Sequence, residues 1–136
     1  MSHWLAEQAE RLMRLGEACH RTNAGRMKEA RLAFLAAVRE VVGEVARRRG
    51  VTACFTCHDG LVVESAGQAP DFEALSAMTQ PWVTAAREAA ATLALGAVKQ
   101  MVLIGEDHKL ALFIVGPLAI GILSPATIDL AYALSR

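Results

Sequence analysis

Neither sign of charge is in surplus: lysine plus arginine number 14, and aspartate plus glutamate number 14. A balanced chain is not steered toward nucleic acid, an anionic membrane or a strongly basic partner. Cysteine is scarce and odd in number, with three residues, which argues against the disulfide framework of small secreted domains. Long hydrophobic runs are also missing. The longest, Leu110 to Leu123, is broken by Gly116-Pro117 and falls short of the roughly 20 residues that span a bilayer. Met1 to Arg21 interleaves Glu7, Glu10, Arg11, Arg14 and Glu17 with apolar residues, so a secretory signal is not expected and a cytoplasmic location is. No glycine-rich phosphate loop is present, because Gly105 and Gly116 are isolated and follow apolar strands with no helix behind them. The partners to expect are proteins or a small ligand, with no nucleic acid and no membrane.

What is present is a chain of 136 residues, 54% hydrophobic, enough for one sizeable core. Leu5, Leu12 and Cys19 recur every seven residues with Leu15 between them, predicting an amphipathic helix from about Ser2 to His20. Thr22-Asn23-Ala24-Gly25 breaks it. A second helix, from about Arg26 to Arg49, carries Met27, Phe34, Leu35, Val38, Val41, Val42 and Val45 as a wide apolar stripe. Arg47-Arg48-Arg49 suit the negative end of that helix, and Gly50 stands where a C-cap belongs.

From Val51 the period changes to alternation. Val51, Ala53, Phe55 and Cys57 take one side and Thr52, Cys54 and Thr56 the other, which is a strand. Asp59-Gly60 supplies a tight turn and Leu61-Val62-Val63 a second strand. This stretch also contains Cys54-Phe55-Thr56-Cys57-His58, the spacing that attaches a c-type haem. On a strand, residues three apart point to opposite faces, so the two thiols cannot reach one porphyrin edge. A thioredoxin-like pair is no better placed, since that motif opens a helix. Cys57 reads as a small core residue.

Asp71 caps a third helix, from Phe72 to about Leu95, ended by Gly96, with Pro81 expected to kink its first turns or mark its true start. This helix carries two stripes. Leu75, Met78, Trp82, Ala89 and Leu93 form one; Thr79, Val83, Ala86 and Ala90 form a second built of small residues, which invites close approach of another helix. Val98 to Ile104, Lys109 to Val115 and Leu118 to Leu123 read as three strands, the last two apolar enough to be covered on both faces. Ser124 and Pro125 are expected to open a last helix running to about Leu134.

Nothing assembles into a catalytic or metal centre. His58 beside Asp59 reads as a turn pair, since no nucleophile sits on a recognisable elbow. Cys19, His20 and His108 have no ligand spacing with anything nearby. No catalytic residue, cofactor or metal is expected, and the protein is not expected to be an enzyme.

The order is an extra helix, then helix, hairpin, helix, three-stranded meander and helix. In this order, "GVTACFTCHDGLVVES", "DFEALSAMTQPWVTAAREAAATLALG" and "VKQMVLIGEDHKLALFIVGPLAIGILS" resemble the roadblock / dynein-light-chain family over roughly Phe34 to Tyr132. The resemblance implies an α+β two-sided sandwich: a five-stranded antiparallel sheet with helices on both faces, here with an added N-terminal helix. Residues 1–24 are then the addition and 25–136 the roadblock-like domain. It implies homodimers or higher assemblies in which third strands pair and central helices lie side by side. The expected contacts are Thr79, Val83, Ala86 and Ala90 on the helix and Lys99, Met101 and Leu103 on the strand. It further implies a platform for a small Ras-like GTPase, with Gln80, Thr84, Arg87 and Glu88 on the helix's polar side as partner contacts. Trp4 on the added helix is the fallback. The competing expectations are a profilin-like small-ligand sensor and a dynein-light-chain-like scaffold without a GTPase.

Overall fold

The computed structural model describes residues 3–21 and 27–135; the break expected at Thr22 to Gly25 lies outside them. Helix α1 spans His3–Arg21 and α2 Met27–Ala46; β1 (Ala53–His58) and β2 (Leu61–Gly67) form the hairpin. Helix α3 (Phe72–Thr92) leads into β3 (Gln100–Ile104), β4 (His108–Val115) and β5 (Leu118–Pro125), and α4 (Leu130–Ala133) closes the chain. The strands make one antiparallel sheet in the order β2-β1-β5-β4-β3. This is the expected sandwich, with helices on both faces.

Strand alternation decides which helix each side chain meets. Cys54, Ala111, Phe113, Val115, Leu118, Ile120 and Ile122 face α1 and α2, where Trp4, Leu5, Ala9 and Leu12 pack with Val38, Val41, Val42 and Val45. Phe55, Cys57, Leu110, Leu112 and Ala119 form the opposite core with Phe72, Leu75 and Trp82 of α3. Burying each large aliphatic side chain contributes roughly 1.5 to 3 kcal/mol, enough to override the modest helix propensity of the valines in α2.

The Asp59-Gly60 turn has positive φ at both residues, 52° and 81°, as a type I′ hairpin requires. Val63 is an extra residue opposite the Thr56–Cys57 step, a bulge in the ladder. Helix α3 runs unbroken through Pro81. Its Asp71 carboxylate accepts from the Ala74 N–H at 3.1 Å, the expected cap.

Two expectations are corrected at the ends of elements. Ser124 and Pro125 do not start a helix: they finish β5, opposite Lys109 and His108. Pro125 lies beyond the stretch of β5 that pairs with β1, so its missing N–H removes no rung there. The last helix is a single turn whose cap is Asp129, accepting from the Ala131 and Tyr132 N–H groups. Helix α2 likewise stops at Ala46, before the three arginines. Among the described residues no helix is long and apolar enough to cross a membrane.

Candidate protein-interaction site

The small-residue stripe of α3 faces inward. Thr79, Val83 and Ala90, expected at a contact between copies, are buried against the chain's own sheet, and Ala86 is half-buried. Short side chains let the helix lie close to the strands. The other stripe stands open: Met78 is 47% exposed and Leu93 66%, with Ala85 and Ala89 exposed between them. Leu75 and Trp82, half-buried, mark where that stripe bends back to the sheet.

The free edge of the sheet is a second open apolar surface. Among the described residues strand β3 pairs only with β4. Met101 and Leu103 share the α3 face with Leu112 and Leu110, while Val102 and Ile104 face the other way. Met101 is half-buried; Val102, Leu103 and Ile104 are all exposed, Leu103 by 57%. A bare edge carrying apolar side chains on both faces is a template for another strand, and a contiguous apolar patch of this kind marks an interaction surface.

Gln80, Thr84, Arg87 and Glu88 all lie exposed on the polar side of α3, as expected. Thr84 donates its hydroxyl proton to the Gln80 carbonyl at 3.0 Å. The Arg87 guanidinium reaches the Gly116 carbonyl in the β4–β5 turn at 3.5 Å. It thereby forms one wall of a concavity of about 710 Å³ whose other charged residue is Lys99, with Ala90, Ala91, Ala94 and Ile114 between. Among the described residues no acidic side chain lines it. The pairing of Arg87 with Lys99 across this hollow was not legible in sequence, because the two come together only when β3 returns past the end of α3.

The remaining candidates are placed as follows. Cys54 and Cys57 face opposite cores. Burial pushes the Cys54 thiol up to about 12. Burial also raises that of Cys57, partly offset by the polar groups of Thr79, Ser76 and the Ala119 backbone beside it. His58 Nδ1 and Asp59 Oδ2 lie 3.1 Å apart in the turn. Among the described residues no group of histidine, cysteine and acidic side chains is arranged to hold a metal. Trp4 is buried in the core, so the fallback partner contact on α1 is corrected.

The combination of a five-stranded antiparallel sheet, in which a hairpin lies beside a three-stranded meander, with an apolar edge strand and a half-open central helix defines the fold class. The sequence profile of the Roadblock/LC7 domain matches residues 37–124, more than half of the chain, and the protein belongs to that family. Solved structures share the fold. A Roadblock/LC7 domain from Streptomyces avermitilis aligns with a TM-score of 0.63 at 20% identity, covering 70% of this chain and 83% of that one. MglB of Myxococcus xanthus aligns with a TM-score of 0.67 at 18% identity, over 73% and 77%. An MglB with a tetrameric arrangement aligns with a TM-score of 0.65 at 19% identity, over 73% and 78%. No curated protein sequence matches the chain.

Proposed function

We propose that the protein is a self-associating module that docks and regulates a small Ras-like GTPase, with α1 as an addition to the roadblock domain. The observation that carries this reading is that both the outer stripe of α3 and the unpaired β3 edge expose apolar side chains. Met78, Ala85, Ala89 and Leu93 are exposed on the helix, and Leu103 is exposed and Met101 half-buried on the face of the edge strand that α3 covers. Pairing β3 with its counterpart in a second copy completes the backbone hydrogen bonds of both edges and sets the two α3 helices side by side. The alanines allow that approach; Ala86 and Lys99 lie at its margin. Family membership supports the assembly, and an MglB of the same fold is found in a tetrameric arrangement.

The GTPase docks across the paired helices, where Gln80, Thr84, Arg87 and Glu88 are presented, with Arg87 and Lys99 drawing an acidic segment of the partner. The module stabilises one conformation of the GTPase and supplies no phosphoryl chemistry of its own. The test is capture from the native cell on immobilised protein, with and without a non-hydrolysable GTP analogue. Recovery of a small GTPase that depends on the analogue supports the reading. Nucleotide-independent recovery of a motor or scaffold subunit alone replaces it with the scaffold reading.

A further inference from the structure

The hairpin of α1 and α2 does not seal against the end of the sheet. Gly16 lies beside Phe34, where a Cβ would stand 3.5 Å from the ring. Below this point a cavity of about 550 Å³ opens between the helices and the β1–β2 and β4–β5 turns. Its floor is Leu12, Val115 and Leu118, all buried, and its walls are Met13, Phe34 and Leu35. The volume falls inside the range of about 300 to 1,000 Å³ typical of small-molecule sites.

The lining selects the ligand. Among the described residues no buried polar side chain lines the interior, so there a heterocycle or sugar would lose its hydrogen bonds to water without replacement. An aliphatic chain loses nothing and gains burial. Among the described liners, Glu17, Arg31 and the His58 imidazole are all exposed and therefore stand at the opening. His58 is engaged with Asp59. Arg31 makes no ion pair or hydrogen bond among the described residues, and a guanidinium holds a carboxylate through two parallel hydrogen bonds. Glu17 opposes a multiply charged anion.

We propose that this cavity binds a monocarboxylate with an acyl tail, the tail on Leu12, Val115 and Leu118 and the carboxylate at Arg31. Because α1 lies outside the residues that match the Roadblock/LC7 profile, the site depends on the added helix.

The experiment is calorimetric titration of the full chain with dodecanoate, kept below its micelle concentration, against dodecyltrimethylammonium as a cation of the same tail. Expected are one saturable dodecanoate site per chain and at least tenfold weaker binding of the cation. Arg31→Gln, at an exposed position, weakens dodecanoate about tenfold and leaves the cation unchanged. Leu35→Trp, which fills the cavity from a partly exposed position, removes both. Bound dodecanoate also slows labelling of Cys19, which lines the cavity. Absence of saturable dodecanoate binding, equal binding of the two amphiphiles, or binding that survives Leu35→Trp overturns the proposal. So does association with phosphatidylglycerol vesicles without binding of free dodecanoate.

Discussion

The guanidinium carbon of Arg48 stands 4.4 Å from the centre of the Trp4 ring. The same side chain lies 3.4 Å from a Glu44 carboxylate oxygen and donates to the Ser135 carbonyl. One arginine thus ties α1, the turn after α2 and the C-terminal segment together. Its neighbours Arg47 and Arg49 are exposed.

Arg48→Ala removes a cation–π contact worth up to about 2 kcal/mol when desolvated and leaves the Trp4 face uncovered. Thermal denaturation followed by circular dichroism should show a fall of several degrees, at roughly 4 °C per kcal/mol for a domain of this size. Arg49→Ala should change little, and Arg48→Lys should recover only part, since an ammonium cannot stack. A melting temperature equal to the parent's for Arg48→Ala would remove this residue from the stability account.

Gly121 of β5 is paired with Phe55 of β1, and a Cβ built on Gly121 would stand 2.3 Å from the Phe55 ring. Gly121→Ala therefore overpacks the core, at a cost of about 1 to 3 kcal/mol. Pairing it with Phe55→Leu should recover part of the loss, giving a coupling energy in a denaturant double-mutant cycle. Strict additivity of the two changes would mean that the ring does not lie over Gly121.

Much of this architecture is legible without coordinates, for identifiable reasons. Asp59-Gly60 announces its hairpin because few residues tolerate positive φ twice in succession. The runs around Leu112 and Ile120 announce central strands because only a doubly covered strand can be apolar at nearly every position. The orientation of α3 is different in kind. Both of its stripes are apolar, so periodicity cannot rank them; the ranking comes from closeness of approach, where Thr79, Val83 and Ala90 admit the sheet and Met78 and Leu93 do not. Ser124-Pro125 misleads because the same pair suits a helix start and a strand end. The cavity under α1 has no sequence signal, since it is a gap between elements.

The thiols provide a pH test with a definite sign. The folded Cys54 stays protonated to about 12, above its ordinary value of 9.0. The unfolded chain therefore loses this proton first. Its contribution to stability is complete below 9.0 and declines as pH rises from there toward 12. Cys54→Ala should show a shallower alkaline decline in denaturant-derived stability than the parent. Under native conditions a thiol reagent should modify Cys19 and spare Cys54 and Cys57, which are buried. Rapid native labelling of all three would contradict this placement.

The proposed contact between copies predicts opposite results on the two stripes of α3. Ala89→Arg, on the open stripe, should shift sedimentation to monomer without unfolding the chain. Leu103→Glu, on the β3 edge, should do the same, since a carboxylate would be buried against an apolar partner surface. Ala90→Arg, on the buried stripe, should instead lower the melting temperature of the chain itself. Glu73→Ala, exposed near the start of α3, is the control and should alter neither property. Unchanged sedimentation of both Ala89→Arg and Leu103→Glu, at tens of micromolar where dimers of ordinary affinity form, would move the contact away from this surface.

Arg87 separates partner binding from architecture. Its guanidinium is exposed and its contact with the Gly116 carbonyl, at 3.5 Å, is long, so the side chain contributes little to stability. Its position opposite Lys99, in a hollow without acidic residues, makes a desolvated partner carboxylate the group that would gain most from it. Arg87→Ala should leave the melting temperature and the oligomeric state unchanged. Capture of the GTP-loaded partner should weaken by about tenfold, or 1.4 kcal/mol. Lys99→Ala should act in the same direction but less, because an ammonium lacks the two-pronged geometry. Added salt should narrow the difference between parent and variant, since an exposed pair is screened. Equal capture by parent and by the double Arg87→Ala, Lys99→Ala variant would place the partner elsewhere on the molecule, and the hollow would then be a solvated gap between α3 and the segment leading into β3.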